Sequence, residues 1–250
     1  MIRILYLILL LPGLLSLTGL KAENGNYDIH YKLGSFNARV ATADISWKAS
    51  EWNGKPALCS EADLRATPIF RVFINKDFYA KCFFSPEELS PLYFVNPFKK
   101  KGKTYQYEYL YRTDTGEIES TSVLPEGTRR KVFPNDGRTM DLLCLLHFVR
   151  FLDPSSVTKV MPLTILMSGK AYPSELLYLG EDLVKFPGIP AQKFLLRLPG
   201  GLMTNGSGNE IYIWRSREGN QLLGLETALS KGHMSVKIRP AQKDGPVQSH

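Results

Sequence analysis

Apolar and polar side chains alternate with a period of two along most of this chain. The clearest stretch is Thr104-Tyr105-Gln106-Tyr107-Glu108-Tyr109-Leu110-Tyr111, which sets four tyrosines on one face, because successive side chains of an extended segment point to opposite sides. The same period predicts strands over 27–33, 36–47, 69–74, 78–84, 92–98, 104–112 and 117–123. A second set follows over 159–167, 174–179, 192–198, 210–215, 221–229 and 234–239. Asn75-Lys76-Asp77, Asn96-Pro97, Asp114-Thr115-Gly116 and Arg217-Glu218-Gly219-Asn220 read as turns between them. Within 36–47 the apolar parity changes from Phe36, Ala38 and Val40 to Ile45 and Trp47, which predicts a bulge or a local twist. The tyrosine stripe is read as half-buried cover for the sheet, with its hydroxyls at the wet edge, in preference to a stacking platform for sugars or bases.

One segment breaks the alternation. Residues 138–152 carry Leu142, Leu143, Leu145, Leu146, Phe148, Val149, Phe151 and Leu152 and run into Asp153-Pro154, a stop signal because the residue before proline avoids the helical region. On a helix these side chains point almost all round, while Asp141, Cys144, His147 and Arg150 drift across half a turn. A helix apolar on every side is a buried one. The predicted fold is therefore all-β, mainly β with one buried helix: an antiparallel open barrel or rolled sheet packed around that single helix.

The N-terminus has a different character. Arg3 precedes an aliphatic run from Ile4 to Leu15, and Leu20-Lys21-Ala22 leads into polar Glu23-Asn24, the layout of a secretory signal peptide cleaved after Ala22. A membrane anchor needs about 17–25 apolar residues; Pro12-Gly13 and Lys21 interrupt this one. The expected organisation is a leader over 1–22, one β-rich domain over 23–239 and a disordered tail over 240–250, with no stable membrane insertion once the leader is gone. Composition changes this little: 44% of the 250 residues are hydrophobic and 22% charged, as in a globular domain. Arg3 and Lys21 leave with the leader while no acid does, so 31 cations become 29 against 24 acids, and +7 becomes +5. The clusters Lys99-Lys100-Lys101-Gly102-Lys103 and Arg129-Arg130-Lys131 are read as solvated strand ends and edges that resist pairing with other chains. Basic side chains are not laid out with stacking aromatics along one face, so no nucleic-acid partner is expected.

The chain lacks the residues that common chemistries need. It has no G-x-S-x-G elbow, no H-E-x-x-H helix, no P-loop and no dinucleotide-binding glycine pattern. His30, His147, His233 and His250 are isolated from one another and from Cys59, Cys82 and Cys144, so no metal and no cofactor are assigned. A Cys59–Cys82 bridge stays open, both residues lying in strand-like sequence, while Cys144 reads as a small buried hydrophobe. Asp141, His147 and Arg150 form the one titratable trio close in sequence. Asp141 and Arg150 stand nine residues apart, about 13 Å along a helix rising 1.5 Å per residue, so they cannot act on one atom, and each is expected to pair with the sheet.

The order of these features resembles a known family. Tyrosine-bearing strands come first, then Asp141 opening a Leu-rich helix that ends in Arg150, then the strand Ile211-Tyr212-Ile213-Trp214-Arg215-Ser216, a polar turn and a final hairpin ending near Ile238. This is similar to the exported bacterial proteins grouped as domain-of-unknown-function family 3108, whose helix looks like D-x-L-S-x-L-Y-Y-L-R and whose late strand looks like V-W-L-S-D-D. Asp141, Arg150, Trp214 and Ser216 match; the helix serine and tyrosines are replaced, Arg215 stands between Trp214 and Ser216, and Arg217-Glu218 stands where acids are usual. The resemblance, spanning Tyr27 to Arg239, implies a periplasmic, mostly antiparallel β protein and no known reaction. The ligand-contact candidates are Asp141, His147, Arg150 and Trp214, with no catalytic residue. The expected function is that of a non-enzymatic envelope protein whose curved sheet binds an apolar or amphipathic ligand, such as a lipid or lipid-linked glycan, or docks on an envelope partner. The alternative, a hydrolase acting on cell-envelope polymers with a dispersed site, needs two carboxylates roughly 5–9.5 Å apart in a cleft.

Overall fold

The computed structural model describes residues 23–70, 78–100, 102–157, 160–186, 188–199, 209–229 and 231–239. The expected leader over 1–22, the expected tail over 240–250 and residues 71–74 of the strand expected over 69–74 lie outside them. Eight strands come first: β1 (Glu23–Leu33), β2 (Phe36–Trp52), β3 (Lys55–Ala66), β4 (Phe78–Phe84), β5 (Pro91–Lys100), β6 (Lys103–Arg112), β7 (Glu117–Leu124) and β8 (Gly127–Pro134). After β9 (Thr139–Asp141), helix α1 (Leu142–Phe151) and a 3₁₀ turn (Pro154–Ser156) come β10 (Met161–Met167), β11 (Lys170–Asp182), β12 (Ala191–Arg197), β13 (Glu210–Ser216), β14 (Leu222–Ala228) and β15 (His233–Ile238). All fifteen join one sheet, in the order β8 down to β1, then β15 down to β9. Every pair is antiparallel except β9 with β10. Two meanders are thus welded by the pairing of the first strand with the last, Tyr27 facing Ile238 and Ile29 facing Val236, and the sheet curls into a nearly closed barrel-like roll around α1.

The roll does not close edge to edge. The edges are β8 and β9, and only residues 135–138 connect them, so their joined ends lie within about 18 Å. Across that seam the tip of the β10–β11 hairpin docks on the inner face of β6 and β7. The Gly169 N–H donates to the Tyr109 hydroxyl at 3.0 Å, and a Cβ on Gly169 would lie 2.6 Å from the Ser122 hydroxyl. Ser168 and Gly169 both have positive φ, 52° and 70°, the conformation that matches a tight hairpin to strand twist. Asp141 of β9 also meets Tyr111 of β6. The β9 side therefore tucks beneath β6 and β7, and β8 overhangs. That overhanging edge is blunted as the sequence suggested: Arg129, Arg130 and Lys131 are all exposed, and charged side chains on an edge discourage further pairing.

The parity change in 36–47 is a bulge. Ile29 faces Ala41 while His30 faces Arg39, leaving Val40 as the extra residue, and Ala41, Ala43, Ile45 and Trp47 then face the core. Several expectations are corrected. Residues 69 and 70 belong to a turn. Asn96-Pro97 lies inside β5: Pro97, which has no N–H to donate, falls where the β4–β5 ladder is interrupted, and the Asn96 amide donates to the Tyr79 carbonyl at 2.5 Å. Residues 139–141 form β9 and not the start of the helix. Strand β3, of which the sequence marks only the surroundings of Cys59 as strand-like, runs over Lys55–Ala66, and β8 lies outside the expected set. The tyrosine stripe is graded: Tyr105 and Tyr107 are half-buried, whereas Tyr109 and Tyr111 are 0% and 4% exposed and spend their hydroxyls inside the roll.

Outside the roll a second, smaller core packs Ala191, Trp214 and Leu223 under Phe186. Gly224 makes it possible: a Cβ there would stand 2.5 Å from the Val236 carbonyl and 3.1 Å from the Phe186 ring. Gly224→Ala is expected to cost about 1–3 kcal/mol, read as a lower urea midpoint with an unchanged slope.

Candidate functional site

Helix α1 is held inside the roll at both ends. At its start the Asp141 carboxylate accepts from the Leu143 and Cys144 N–H groups at 2.9 and 3.0 Å, an N-cap, and the Tyr111 hydroxyl approaches its other oxygen at 3.5 Å. Asp141 is 1% exposed. Burial raises its pKa above the ordinary carboxylate value, and the Cys144 thiol and the cap N–H groups oppose that rise.

At its end the last carbonyls meet a cation from the sheet. The Arg215 guanidinium donates through one nitrogen to the carbonyls of Val149 and Arg150, at 2.7 and 2.6 Å, and through Nε to the Gln192 side chain at 2.8 Å. Terminal helix carbonyls lack intrahelical partners and carry the negative end of the helix dipole, so a buried guanidinium suits them. The helix reciprocates, since Arg150 Nε donates to the Asn220 carbonyl in the β13–β14 turn at 2.9 Å. The Arg150 guanidinium lies 4.1 Å above the Trp47 ring, a cation–π distance.

Between the two ends lies a group of polar atoms without partners. His147 is 2% exposed, and neither ring nitrogen has a hydrogen-bond partner among the described residues. Its ring centroid stands 3.7 Å from that of Phe84, 4.8 Å from Phe151 and 6.4 Å from Trp47. Burial, and secondarily the charge of Arg150, pushes its pKa down to about 2, so the imidazole is neutral. Trp47 Nε1 and Ser60 Oγ are also buried and unpartnered, and these residues face each other directly across β2 and β3. Trp47, Ser60 and His147 thus gather unused donors and acceptors on one part of the inner wall. Buried polar groups in native proteins are almost always paired, so such a cluster marks a place for something that hydrogen-bonds.

Elsewhere the inner wall is apolar and incompletely covered. Ile211, Leu225, Met234 and Val236 pack on the core, as do Leu142 and Leu146 of α1, yet all stay only half-buried. An open cleft of about 650 Å³ lies elsewhere, lined by Asp136, Arg138, Pro162, Ser174, Glu175 and Arg197 among others. Both of its acids are engaged: Asp136 accepts from the Arg138 N–H and the Thr139 hydroxyl, and Glu175 faces Arg197 at 3.8 Å.

Of the four residues singled out in the sequence, the fold gathers two. His147 and Arg150 both lie against Trp47, while Asp141 sits at the far end of the helix. Trp214 is separated from them by the sheet. It lies on the outer face, its Nε1 donating to Asp182 at 2.9 Å, with Lys185 and Lys193 over its ring. Trp47, Ser60 and Phe84 were not anticipated as site residues. Arg215 carried a readable signal, an arginine inside an apolar strand. The Cys59–Cys82 bridge that the sequence leaves open is excluded: Ser60 pairs with Cys82 while Cys59 pairs with Phe83, so the two thiols point to opposite faces.

A rolled antiparallel sheet enclosing one helix, with an aromatic and partly polar inner wall and no group of three metal-ligating side chains among the described residues, defines an all-β, barrel-like class of protein. Within it the chain belongs to the family described as "Protein of unknown function (DUF3108)", whose sequence pattern matches residues 26–239. No curated protein and no solved structure matches the chain.

Proposed function

We propose that this is an exported envelope protein, cleaved after Ala22, that holds an apolar or amphipathic ligand such as a lipid or lipid-linked glycan inside the roll and catalyses no reaction on it. The observation that carries this reading is the unpartnered cluster of Trp47, Ser60 and His147, with an apolar wall elsewhere on the same inner face that is only half-buried. A ligand with a long apolar part and one hydroxyl, amide or acid group would cover the wall and satisfy the cluster, the division of labour found in small-molecule sites. The neutral imidazole can accept as well as donate, and Arg150 beside it favours an electronegative head group. The hydrolase alternative finds its nearest counterpart in the open cleft, where Asp136 and Glu175 are both present, but each already has a partner.

Native mass spectrometry of protein purified without detergent from its own envelope compartment tests the reading. The expected result is one bound amphipathic molecule per chain, on a polypeptide beginning at Glu23. An anthroyloxy-labelled fatty acid should bind the stripped protein one to one, and at least tenfold more weakly to the double variant Ser60→Ala, His147→Leu. The bare polypeptide mass, together with no binding of the labelled fatty acid, would overturn it.

A further inference from the structure

The outward Cys59 leaves the other two cysteines together in the core between β4 and α1. Cys82 projects inward from β4, and Cys144 sits in the first turn of α1, the helix that packs on β4. Both belong to one buried core cluster, at 0% and 4% exposure, and each thiol perturbs the other. We propose that Cys82 and Cys144 are the protein's disulfide pair, joined while the chain folds and then sealed inside the roll.

The placement favours this over two inert thiols. One sulfur stands on a strand paired on both sides, and the other on a helix turn fixed by the Asp141 cap, so the bond would form between positions the fold already holds together. Sixty-one residues separate them, and tying together a long loop removes much freedom from the unfolded chain. The chemistry also sets the order of events. Only a thiolate attacks a disulfide, and burial raises both thiol pKa values in the folded state. Exchange therefore happens before α1 docks. A disulfide-carrying oxidant R–S–S–R is attacked by one cysteine thiolate, which gives a mixed disulfide and releases R–SH. The second thiolate displaces the remaining sulfur, forming the Cys82–Cys144 bond and releasing a second R–SH. The two electrons go to the oxidant, and the two thiol protons end on the released thiols. In the cell the oxidant is supplied by the exported location argued above, and to that extent the inference rests on the functional reading.

Refolding separates the two. The reduced, denatured full-length chain is refolded in mixed reduced and oxidised glutathione, then denatured and alkylated. The expected product has one alkylated thiol, on Cys59, and a linked pair of peptides carrying Cys82 and Cys144, lighter than the separate peptides by two hydrogen atoms. Cys59→Ser should still link, and reductant should lower its melting temperature by several degrees while leaving that of Cys144→Ser unmoved. Three alkylated thiols after refolding, or a link through Cys59, would overturn the pairing. If the refolded protein links and protein from cells carries three thiols, the pairing stands and the exported location fails.

Discussion

Replacing Arg215 by alanine is expected to lower the unfolding free energy by about 3–5 kcal/mol. Arg215 is 4% exposed and its guanidinium serves three acceptors, the carbonyls of Val149 and Arg150 and the Gln192 side chain. Truncation leaves the two carbonyls inside the roll, where a buried acceptor without a donor costs roughly 1–3 kcal/mol, and unpairs the half-buried Gln192 as well. Equilibrium urea unfolding reads this directly. Arg215→Lys should recover only part of the loss, because an ammonium is a compact point charge and cannot reproduce the fork that spans helix and side chain. A loss below about 1 kcal/mol for the alanine variant would mean that water reaches the helix end and the cap is dispensable.

The second large effect concerns pH. His147 has its folded-state pKa pushed down to about 2 from an ordinary 6.5, so as pH falls through 6.5 the unfolded chain takes up a proton that the folded one refuses. Stability is complete above pH 6.5 and declines below it by about 1.4 kcal/mol per pH unit, near 3 kcal/mol by pH 4.5. Asp141 acts in the opposite sense. Its pKa is raised on folding, so protonation favours the folded state as pH drops from that raised value towards 3.8. The informative quantity is therefore the difference between wild type and His147→Phe, which keeps an aromatic ring among Phe84 and Phe151 but does not titrate. That difference should shift by about 3 kcal/mol in favour of the variant between pH 7 and pH 4.5. A difference independent of pH would mean that the imidazole is wet or paired.

The period-two pattern found most strands because this sheet has one inner and one outer face, so burial alternates with the pleat. It missed β3 and β8 for opposite reasons. Ala57, Leu58, Cys59 and Ser60 of β3 are buried in succession, since its outer face is covered as well, and β8 is an exposed cationic edge with no buried side to reveal it. The helix was legible from its apolar surround, but its first residues were absorbed into β9 because Asp141 serves both as strand end and as cap. The site was less legible. His147 and Arg150 are visible as polar residues on an apolar helix, yet what gives them meaning is Trp47, a hundred residues earlier. Only the pairing of β2 with β3 and the docking of α1 bring these together, and no local spacing encodes that. Trp214 stands apart from the helix residues because one step along a strand reverses direction: Arg215 enters the roll and Trp214 leaves it.

A barrel closed by a continuous ladder has its girth fixed by strand number and stagger. This one is closed by a lap joint, in which the β10–β11 tip rests on Tyr109 while β8 pairs on one side only. Its girth is therefore set by the Gly169–Tyr109 hydrogen bond and the side chains packed at the joint, and not by the register of a ladder.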